Sequence, residues 1–306
     1  MGDSAMTDAQ KNRIRRTMMF LNTQRAALVK DSYVYKPDSV LLDLEDAVAE
    51  GEKDSARVQL YNTLKYVDYH GVERFVRING LDTPHYKEDI RASVAGGADG
   101  IRIPKTETKN DVALVEELVE KAEKEFGRPV GSTMLMAALE SPRAVLNAYE
   151  IATSSDRMMG IALSAGDFKR TMHARQTADG SELATARGLI IMAARAAGIM
   201  AFDTVYTNID DIAGLRREAE LIRDMGFDGK SLISPKQIAT IHEVFTPTEK
   251  EISRAEHLIL AVEENKKKGV GVLVVDGAMV DIAMVEGAYR TLTLAKASGV
   301  YKGGLV

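Results

Sequence analysis

Short runs of apolar and β-branched residues alternate along the chain with longer segments in which apolar residues recur every three or four positions. A short apolar run is typical of a buried strand, and the wider spacing is typical of an amphipathic helix. Eight predicted strands follow one another after residue 16: TMMFL (17–21), SVLLDLE (39–45), RFVRIN (74–79), GIRIPK (100–105), STMLMAALE (132–140), MGIALSAGD (159–167), MAFDTV (200–205) and KSLIS (230–234).

The segments between these runs have the spacing of helices. Three clear examples are DVALVEELVEKAEKEFG (111–127), ELATARGLIIMAARAAG (182–198) and IDDIAGLRREAELIRDMG (209–226), and each ends at a glycine, a common helix C-cap. Eight strand–helix alternations predict parallel β/α units and, by their number, a (β/α)8 TIM barrel over residues 13–245. A doubly wound open sheet is the alternative, but no glycine-rich nucleotide loop follows either of the first two runs.

The tail, residues 246–306, has a different pattern. It begins with a long polar segment of helical spacing, continues through VGVLVVDGAMVD (270–281) and ends with a second helical segment. The middle stretch predicts a β-hairpin that turns at Asp276-Gly277. Because the barrel is already complete, we expect this C-terminal arm to pack over a barrel mouth or onto a neighbouring subunit.

Composition narrows the class of protein. The chain has 306 residues, of which 45% are hydrophobic and 28% charged, with a formal net charge of −5. A negative chain without a long basic run is not expected to bind nucleic acid, and no apolar run approaches the roughly 20 residues that cross a membrane. The absence of cysteine excludes disulfides and thiolate metal sites and fits a reducing compartment, so we predict a cytoplasmic protein.

Charged residues interrupt the predicted strands near their carboxyl ends. Asp43 and Glu45 fall on one face of the second strand, because side chains alternate with a period of two. In a β/α barrel the reactive groups lie at the carboxyl ends of the strands. Polar residues at those ends are Asp43, Glu45, Arg77, Lys105, Glu140, Asp167, Asp203 and Ser234. The sequence therefore predicts a polar site at one mouth of the barrel.

Two carboxylates follow adjacent predicted strands. Glu140 and Asp167 could hold Mg²⁺, with water and substrate oxygens completing the octahedron. Each also has a structural explanation that the sequence leaves open. Glu140 precedes Ser141-Pro142 and could act through its charge at a helix N-terminus, and Asp167 could be an N-cap.

Two cations belong to the same predicted mouth. Arg77 lies on a strand, so it should pair with an acid of the LEDAV segment, bind a substrate carboxylate through its planar fork, or do both. Lys105 should pair with an acid, and the alternative is a Schiff-base lysine of a class I aldolase. Lys53 and Arg57 are expected to form ion pairs near the surface.

These residues stand in motifs that resemble the β subunits of citrate lyases, in the wider family of citryl-, malyl- and citramalyl-CoA lyases. The resemblance extends over about residues 13–300. Its motifs are RRTMMF (15–20), LLDLEDAV (41–48), VRING (76–80), IRIPKT (101–106), AALESPRAVLNAYEIA (137–152), AGDF (165–168), ELATARG (182–188), AAGIMAFDTVYTN (196–208), GFDGKSLISPKQI (226–238) and MVD (279–281).

The resemblance implies a TIM barrel, Mg²⁺ and reversible carbon–carbon cleavage of a β-hydroxyacyl thioester, of CoA or of a CoA-like prosthetic group on an acyl carrier protein. We expect cleavage of a citryl thioester to oxaloacetate and an acetyl thioester. The alternatives are a malyl-, citramalyl- or related acyl-CoA lyase using free CoA esters and, less favoured, a scaffold subunit without activity.

The resemblance also implies roles for individual residues. Glu140 and Asp167 would bind Mg²⁺. Arg77 would neutralise the developing enolate or a substrate carboxylate, while Glu45 and Asp46 would orient Arg77 and a metal-bound water.

Further roles concern the acyl carrier and a neighbouring subunit. Arg16, Lys105, Lys230 and Pro235 would lie near the thioester or the CoA-like arm. Asp281, in the tail, would act as general acid/base in a neighbouring subunit's site, which implies a homo-oligomer such as a trimer. Citrate lyase α and acyl-carrier γ subunits are possible partners. The chain departs from the family at Asn22-Thr23, where related lyases commonly have a Pro-Gly turn.

Overall fold

The structure is a computed structural model that describes residues 7, 10, 13–267, 273–275 and 278–306. The chain divides into two compact units, Met1–His242 and Glu243–Val306. The division lies a few residues before the position predicted from the sequence, between residues 245 and 246.

The first unit is a closed barrel of eight parallel strands. They are β1 (Thr17–Asn22), β2 (Ser39–Asp43), β3 (Glu73–Arg77), β4 (Gly100–Ile103), β5 (Met134–Leu139), β6 (Met158–Leu163), β7 (Met200–Asp203) and β8 (Gly229–Leu232). Each strand pairs with the next, and β8 pairs with β1 through Thr17 and Lys230. The TIM barrel is therefore confirmed, and the open-sheet alternative is wrong.

Helices follow the strands as the periodicity predicts. They are α1 (Ala26–Lys30), α2 (Lys53–Tyr66), α3 (Tyr86–Gly96), α4 (Lys109–Glu125), α5 (Pro142–Leu146), α6 (Ala148–Ala152), α7 (Ala165–Thr171), α8 (Ala184–Ala197), α9 (Ile212–Met225) and α10 (Ile238–Phe245). Gly198 and Gly226 end α8 and α9 with positive φ angles of 71° and 103°, so these two predicted glycine C-caps are confirmed. The third is wrong by one position, because the C-cap of α4 is Phe126 and not Gly127.

The barrel interior is filled by methionine and aromatic side chains. Its buried cluster comprises Met18, Leu41, Phe75, Met134, Met136, Met159, Ala162 and Phe202. Gly100 makes room for this filling, because a Cβ atom there would lie 2.2 Å from the Phe75 ring. The interior is thus a packed core rather than a pore, and chemistry is confined to the strand ends.

The second unit is built on two helices, α11 (Glu249–Lys267) and α12 (Ile282–Ala297). Their apolar faces form a small core: Ile252, Ala255, Ile259, Ala288, Leu292, Ala295 and Tyr301. Strands β9 (Leu273–Val275) and β10 (Ala278–Val280) pair antiparallel, as expected of the predicted hairpin. The predicted turn, Asp276-Gly277, lies outside the described residues. Over the described chain, no helix combines the length and apolar composition needed to cross a membrane.

Candidate active site at the carboxyl end of the barrel

The loop after β2 holds the acidic cluster of the site. Asp43 ends the strand and accepts hydrogen bonds from the backbone N–H groups of Glu45 (3.0 Å) and Ala47 (3.3 Å), which curl the chain around its carboxylate. Lys53 fastens this loop from α2, because its buried Nζ donates to the carbonyl oxygens of Leu44 (2.8 Å) and Glu45 (2.7 Å). Lys53 is therefore a loop anchor and not the ion-pairing residue that we expected.

Asn22 and Thr23 bind the same loop from the end of β1. The Thr23 hydroxyl donates to the Asp43 carbonyl (2.7 Å), and the Asn22 amide donates to the Ala47 carbonyl (2.8 Å). The pair that departs from the family's Pro-Gly turn thus ties the first strand to the acidic loop.

Arg77, the last residue of β3, lies at the centre of the acids. Its Nε and Nη2 donate to the two Asp43 carboxylate oxygens at 2.7 and 2.6 Å, a bidentate pair. Its Nη1 lies 2.8 Å from Glu45 Oε2 and 3.4 Å from Asp46 Oδ2. Burial opposes the charge, but the Asp43 hydrogen bonds and the nearby acids outweigh it and raise the pKa of Arg77. The guanidinium is therefore permanently charged, and its orientation is fixed by the contacts with Asp43 and Glu45.

Lys105 joins the cluster after β4. Its Nζ lies 2.9 Å from Glu45 Oε1, and the residue has an uncommon positive φ of 47°. Burial lowers the pKa of Lys105, but Glu45 more than offsets this, so the net shift is upward. A Schiff-base lysine needs a lowered pKa to be nucleophilic. The geometry therefore favours the ion-pair interpretation over the class I aldolase.

Glu45 is buried between these two cations. Burial raises the pKa of Glu45, although Arg77 and Lys105 act in the opposite direction. At 2.8 Å to Arg77 and 2.9 Å to Lys105, both contacts are close ion pairs. Asp46, by contrast, is exposed, and only the edge of its carboxylate reaches Arg77.

Glu140 directly follows β5 and is 6% exposed. Burial, reinforced by repulsion from Glu45, raises the pKa of Glu140 to about 7. Ser141 and Pro142 do begin α5, with the Ser141 hydroxyl accepting from Ala144 N at 3.1 Å. Yet within the described chain Glu140 Oε1 is buried without a hydrogen-bond partner. Because a buried carboxylate oxygen needs a partner, this atom fits a metal ligand.

Asp167 lies beyond the end of β6, in the first turn of α7. The N-cap position of that helix is Ser164, so the N-cap explanation for Asp167 is wrong. Its carboxylate is partly exposed and lies 2.8 Å from Arg170. Strands β5 and β6 are hydrogen-bonded neighbours in register at Leu139 and Leu163, so Glu140 and Asp167 follow adjacent strand ends as predicted.

The mouth offers few carboxylates for a metal ion. Among the described residues no three His, Cys, Asp or Glu side chains cluster as a metal site. Mg²⁺ commonly takes only one or two protein carboxylates and keeps several waters. The orphaned oxygen of Glu140 and the neighbouring position of Asp167 therefore fit a site that water and substrate complete.

Two residues predicted to contact the acyl carrier, Arg16 and Lys230, lie away from the mouth of the barrel. Arg16 precedes β1, so it lies at the amino-terminal end of the barrel, where it pairs with Asp38 at 2.8 Å. Lys230 is fully buried, and its Nζ bonds Asp203 (2.8 Å) and Glu218 (2.5 Å), with no exposed surface for a ligand. Neither side chain is at the mouth, so neither binds CoA there.

The remaining predicted residues lie on exposed positions. Pro235 follows β8 at the carboxyl end of the barrel and is exposed, which is compatible with contact to an acyl arm. Asp281 belongs to the second unit, where it caps α12 by accepting from Met284 N at 2.8 Å. A general acid at this position would therefore also hold a helix terminus.

Arg102, on β4, was missed by the sequence reasoning. It is 1% exposed, and its register partners are Arg77 on β3 and Met136 of the interior cluster on β5. Arg77 and Arg102 both approach the Phe20 ring, at 4.9 and 5.3 Å from its centroid. The sequence could have indicated its inward position, because Arg102 lies two residues after Gly100 in GIRIP and therefore on the same face of the strand.

Comparisons with known proteins show which family the chain resembles. Residues 16–235 match the family described as HpcH/HpaI aldolase/citrate lyase. The citrate lyase subunit beta of Leuconostoc mesenteroides subsp. cremoris is 54% identical over 286 residues, which cover 94% of this chain and 95% of that protein.

Solved structures of Mycobacterium tuberculosis proteins are also similar. CitE in complex with magnesium, acetoacetate and coenzyme A superposes with a TM-score of 0.74 at 27% identity, covering 93% of this chain and 99% of that one. A citrate lyase beta subunit complexed with oxaloacetate and magnesium gives a TM-score of 0.65 at 29% identity, covering 78% and 100%.

Proposed function

We propose, since this chain belongs to the HpcH/HpaI aldolase/citrate lyase family, that it is a Mg²⁺-dependent carbon–carbon lyase that cleaves a citryl thioester into oxaloacetate and an acetyl thioester. The observation that carries the proposal is the arrangement at the barrel mouth. A buried Glu140 oxygen without a hydrogen-bond partner follows β5, and Asp167 follows the neighbouring strand β6. The charged guanidinium of Arg77 is held among three acids.

Glu140 and Asp167 would hold the metal ion. When bound, Mg²⁺ supplies a Lewis acid for the hydroxyl oxygen that becomes the ketone of oxaloacetate. Two comparisons support this assignment: a 54% identical relative is a citrate lyase subunit beta, and a similar beta subunit was solved with oxaloacetate and magnesium.

Arg77 would stabilise the charge that the reaction creates. As the carbon–carbon bond breaks, its electron pair passes to the acetyl thioester as an enolate, while the hydroxyl gives its proton to a water molecule and becomes a carbonyl. A guanidinium fixed in advance by Asp43 stabilises such a charge without reorganising. Glu45 and Asp46 would keep the fork in this orientation and hold a water for the metal.

Asp281 would complete the reaction by protonating the enolate carbon, from the arm of a neighbouring subunit. The Asp281 carboxylate is exposed, and the 54% identical relative is a subunit of a citrate lyase; both support an assembly of several chains. The substrate would be an acyl thioester of CoA or of a carrier protein, which the coenzyme A bound in the similar CitE structure supports. A homo-oligomer such as a trimer, α and γ citrate lyase partners and a cytoplasmic location are further predictions.

The decisive experiment is a panel of citryl-, malyl- and citramalyl-CoA with the purified chain, with and without Mg²⁺. We expect citryl-CoA to be cleaved fastest, only with metal, and with release of oxaloacetate. Faster cleavage of malyl- or citramalyl-CoA would assign the alternative substrate. Full activity after metal removal by EDTA would overturn the metal assignment, and no cleavage of any ester would favour the scaffold subunit.

A further inference from the structure

Arg102 differs from the other deeply buried arginines of the barrel in lacking an acidic partner. Arg15 pairs with Glu73 at 2.7 Å, Arg157 with Glu123 at 2.8 Å, and Arg187 with Asp203 at 2.9 Å. Each of these three buried guanidinium groups is thus paired with a carboxylate, as buried charges in proteins generally are.

The Arg102 guanidinium is bonded only to neutral groups. Its Nη1 donates to the Ser231 hydroxyl on β8 at 3.2 Å, and its Nη2 donates to the Ser164 hydroxyl at 3.0 Å. Its Nε is buried without a partner, and throughout the described chain no carboxylate oxygen lies within 4.0 Å of the group. Burial, together with repulsion from Arg77, lowers the pKa of Arg102 to about 10, although the more distant carboxylates of Glu140, Asp43 and Glu45 act in the opposite direction. The side chain therefore remains charged at neutral pH.

The position of this group connects it with the mouth. It spans the barrel from β4 to β8, and its Nη2 end meets Ser164, a half-exposed residue that directly follows β6. Ser164 is three positions before Asp167. A buried cation with neutral partners and one end at the mouth is a receptor for an anion.

The substrate of the proposed reaction supplies such an anion. The oxaloacetate half of a citryl thioester has two carboxylates, whereas the corresponding half of a malyl thioester has one. Glu140 and Asp167 would hold the metal ion, which would take up one carboxylate and the hydroxyl of the substrate. The second carboxylate would then need a cation of its own. Arg77 is already assigned to the enolate, and Lys105 is paired with Glu45. Among these three cations of β3, β4 and the loop after β4, Arg102 is the one for which no acid within 4.0 Å is found in the described chain.

We propose that Arg102 binds the second carboxylate of the oxaloacetate half, and that this contact selects citryl over malyl thioesters. The assignment rests on the proposed function and names the residue that gives it specificity. Removing one partner of a buried, hydrogen-bonded charge pair costs enough to lower affinity by at least about 30-fold. A site built for a polar group also strongly rejects an analogue that lacks it.

Binding of oxaloacetate and pyruvate, measured by calorimetry with Mg²⁺, tests this directly, because pyruvate lacks only the second carboxylate. We expect the unsubstituted protein to prefer oxaloacetate. Arg102→Gln should weaken oxaloacetate binding by at least about 30-fold and leave pyruvate binding unchanged. An oxaloacetate preference that survives in a folded Arg102→Gln protein overturns the proposal.

A second variant tests the same contact with Arg102 in place. Ser164→Asp puts a carboxylate beside Nη2, so it should neutralise the guanidinium, raise Tm and remove the oxaloacetate preference. Ser164→Asn, of the same size without the charge, is the matched control and should keep that preference. Equal binding of oxaloacetate by these two variants contradicts the proposal, even where Arg102→Gln does not fold.

The role of Arg102 and the proposed cleavage reaction can fail independently of each other. A protein that fails to cleave citryl-CoA yet loses its dicarboxylate preference in Arg102→Gln supports the role of Arg102 and refutes the reaction. A protein that cleaves citryl-CoA with Arg102→Gln binding both ligands as before supports the reaction and refutes the role of Arg102.

Discussion

At the scale of single residues, the chemistry of the site depends on groups whose charge the fold has set in advance. Arg77 is the clearest case, because it makes a bidentate pair with Asp43 and also contacts Glu45. A lysine at this position would keep the positive charge. It would lose the planar fork that meets both oxygens of a carboxylate.

We therefore expect Arg77→Lys to lower kcat by at least tenfold while the protein remains folded. Steady-state kinetics with citryl-CoA and circular dichroism would measure the two effects. Arg91→Lys, an exposed arginine on α3, is the matched control and should retain full activity. Unchanged kinetics in Arg77→Lys would make Arg77 a structural residue.

Glu140 provides a test that depends on pH. In the metal-free protein its pKa is about 7, against an ordinary value of 4.5. As pH rises, the Glu140 carboxyl therefore loses its proton in the unfolded chain before it does so in the folded protein. The free energy of unfolding then falls between about pH 4.5 and 7, by on the order of 3 kcal/mol in total. The loss is absent below this window and complete above it.

Denaturant unfolding at pH 5 and pH 8 measures this loss. We expect Glu140→Gln to remove the pH-dependent part, because the amide does not titrate. Mg²⁺ should restore stability at pH 8 in the unsubstituted protein but not in Glu140→Gln or Asp167→Asn, and both variants should lose activity. Restoration by Mg²⁺ in either variant would show that its carboxylate is not a ligand.

At the scale of elements, helix and strand ends deliver the functional groups and are themselves held by specific contacts. The acidic loop after β2 is tied to β1 by Asn22 and Thr23 and to α2 by Lys53. At the start of α12, Asp281 satisfies a backbone N–H that would otherwise lack a partner in the helix. Capping and proton transfer can therefore be separated at this residue.

We expect Asp281→Ala and Asp281→Asn to differ in stability but not in activity. Alanine removes the cap and should cost about 1 kcal/mol of unfolding free energy, whereas asparagine caps equally well. Both remove the acid, so both should lower turnover by roughly 10²–10⁴-fold. Near-normal turnover in Asp281→Asn would leave Asp281 with the capping role alone.

At the scale of the whole molecule, the question is whether one site uses residues of two chains. Inactive Asp281→Asn and inactive Glu140→Gln chains, when co-assembled, should regain part of the activity, because some mouths would receive an intact arm from another chain. Each variant mixed with itself is the control. A mixture that stays inactive after demonstrated subunit exchange would place the acid in the same chain or outside the reaction.

The sequence by itself determined the order of strands and helices, because the periods of two and of about 3.6 residues are local properties. All eight strands lie within the predicted runs or extend them by one residue, and the glycines at 198 and 226 end their helices. It also placed Arg77, Lys105 and Glu140 at one mouth, since parallel strands present their carboxyl ends together.

Only the tertiary structure decided which charged residues are neutralised and which are free. Lys230 and Arg102 are both buried cations within strands, and their local sequences give no sign of a difference. Lys230 meets Asp203 and Glu218 between the strands and α9, whereas Arg102 crosses the interior to two serines. The partners of each lie 12 to 129 positions away, so barrel closure and register, not sequence spacing, determine which cation can bind a substrate.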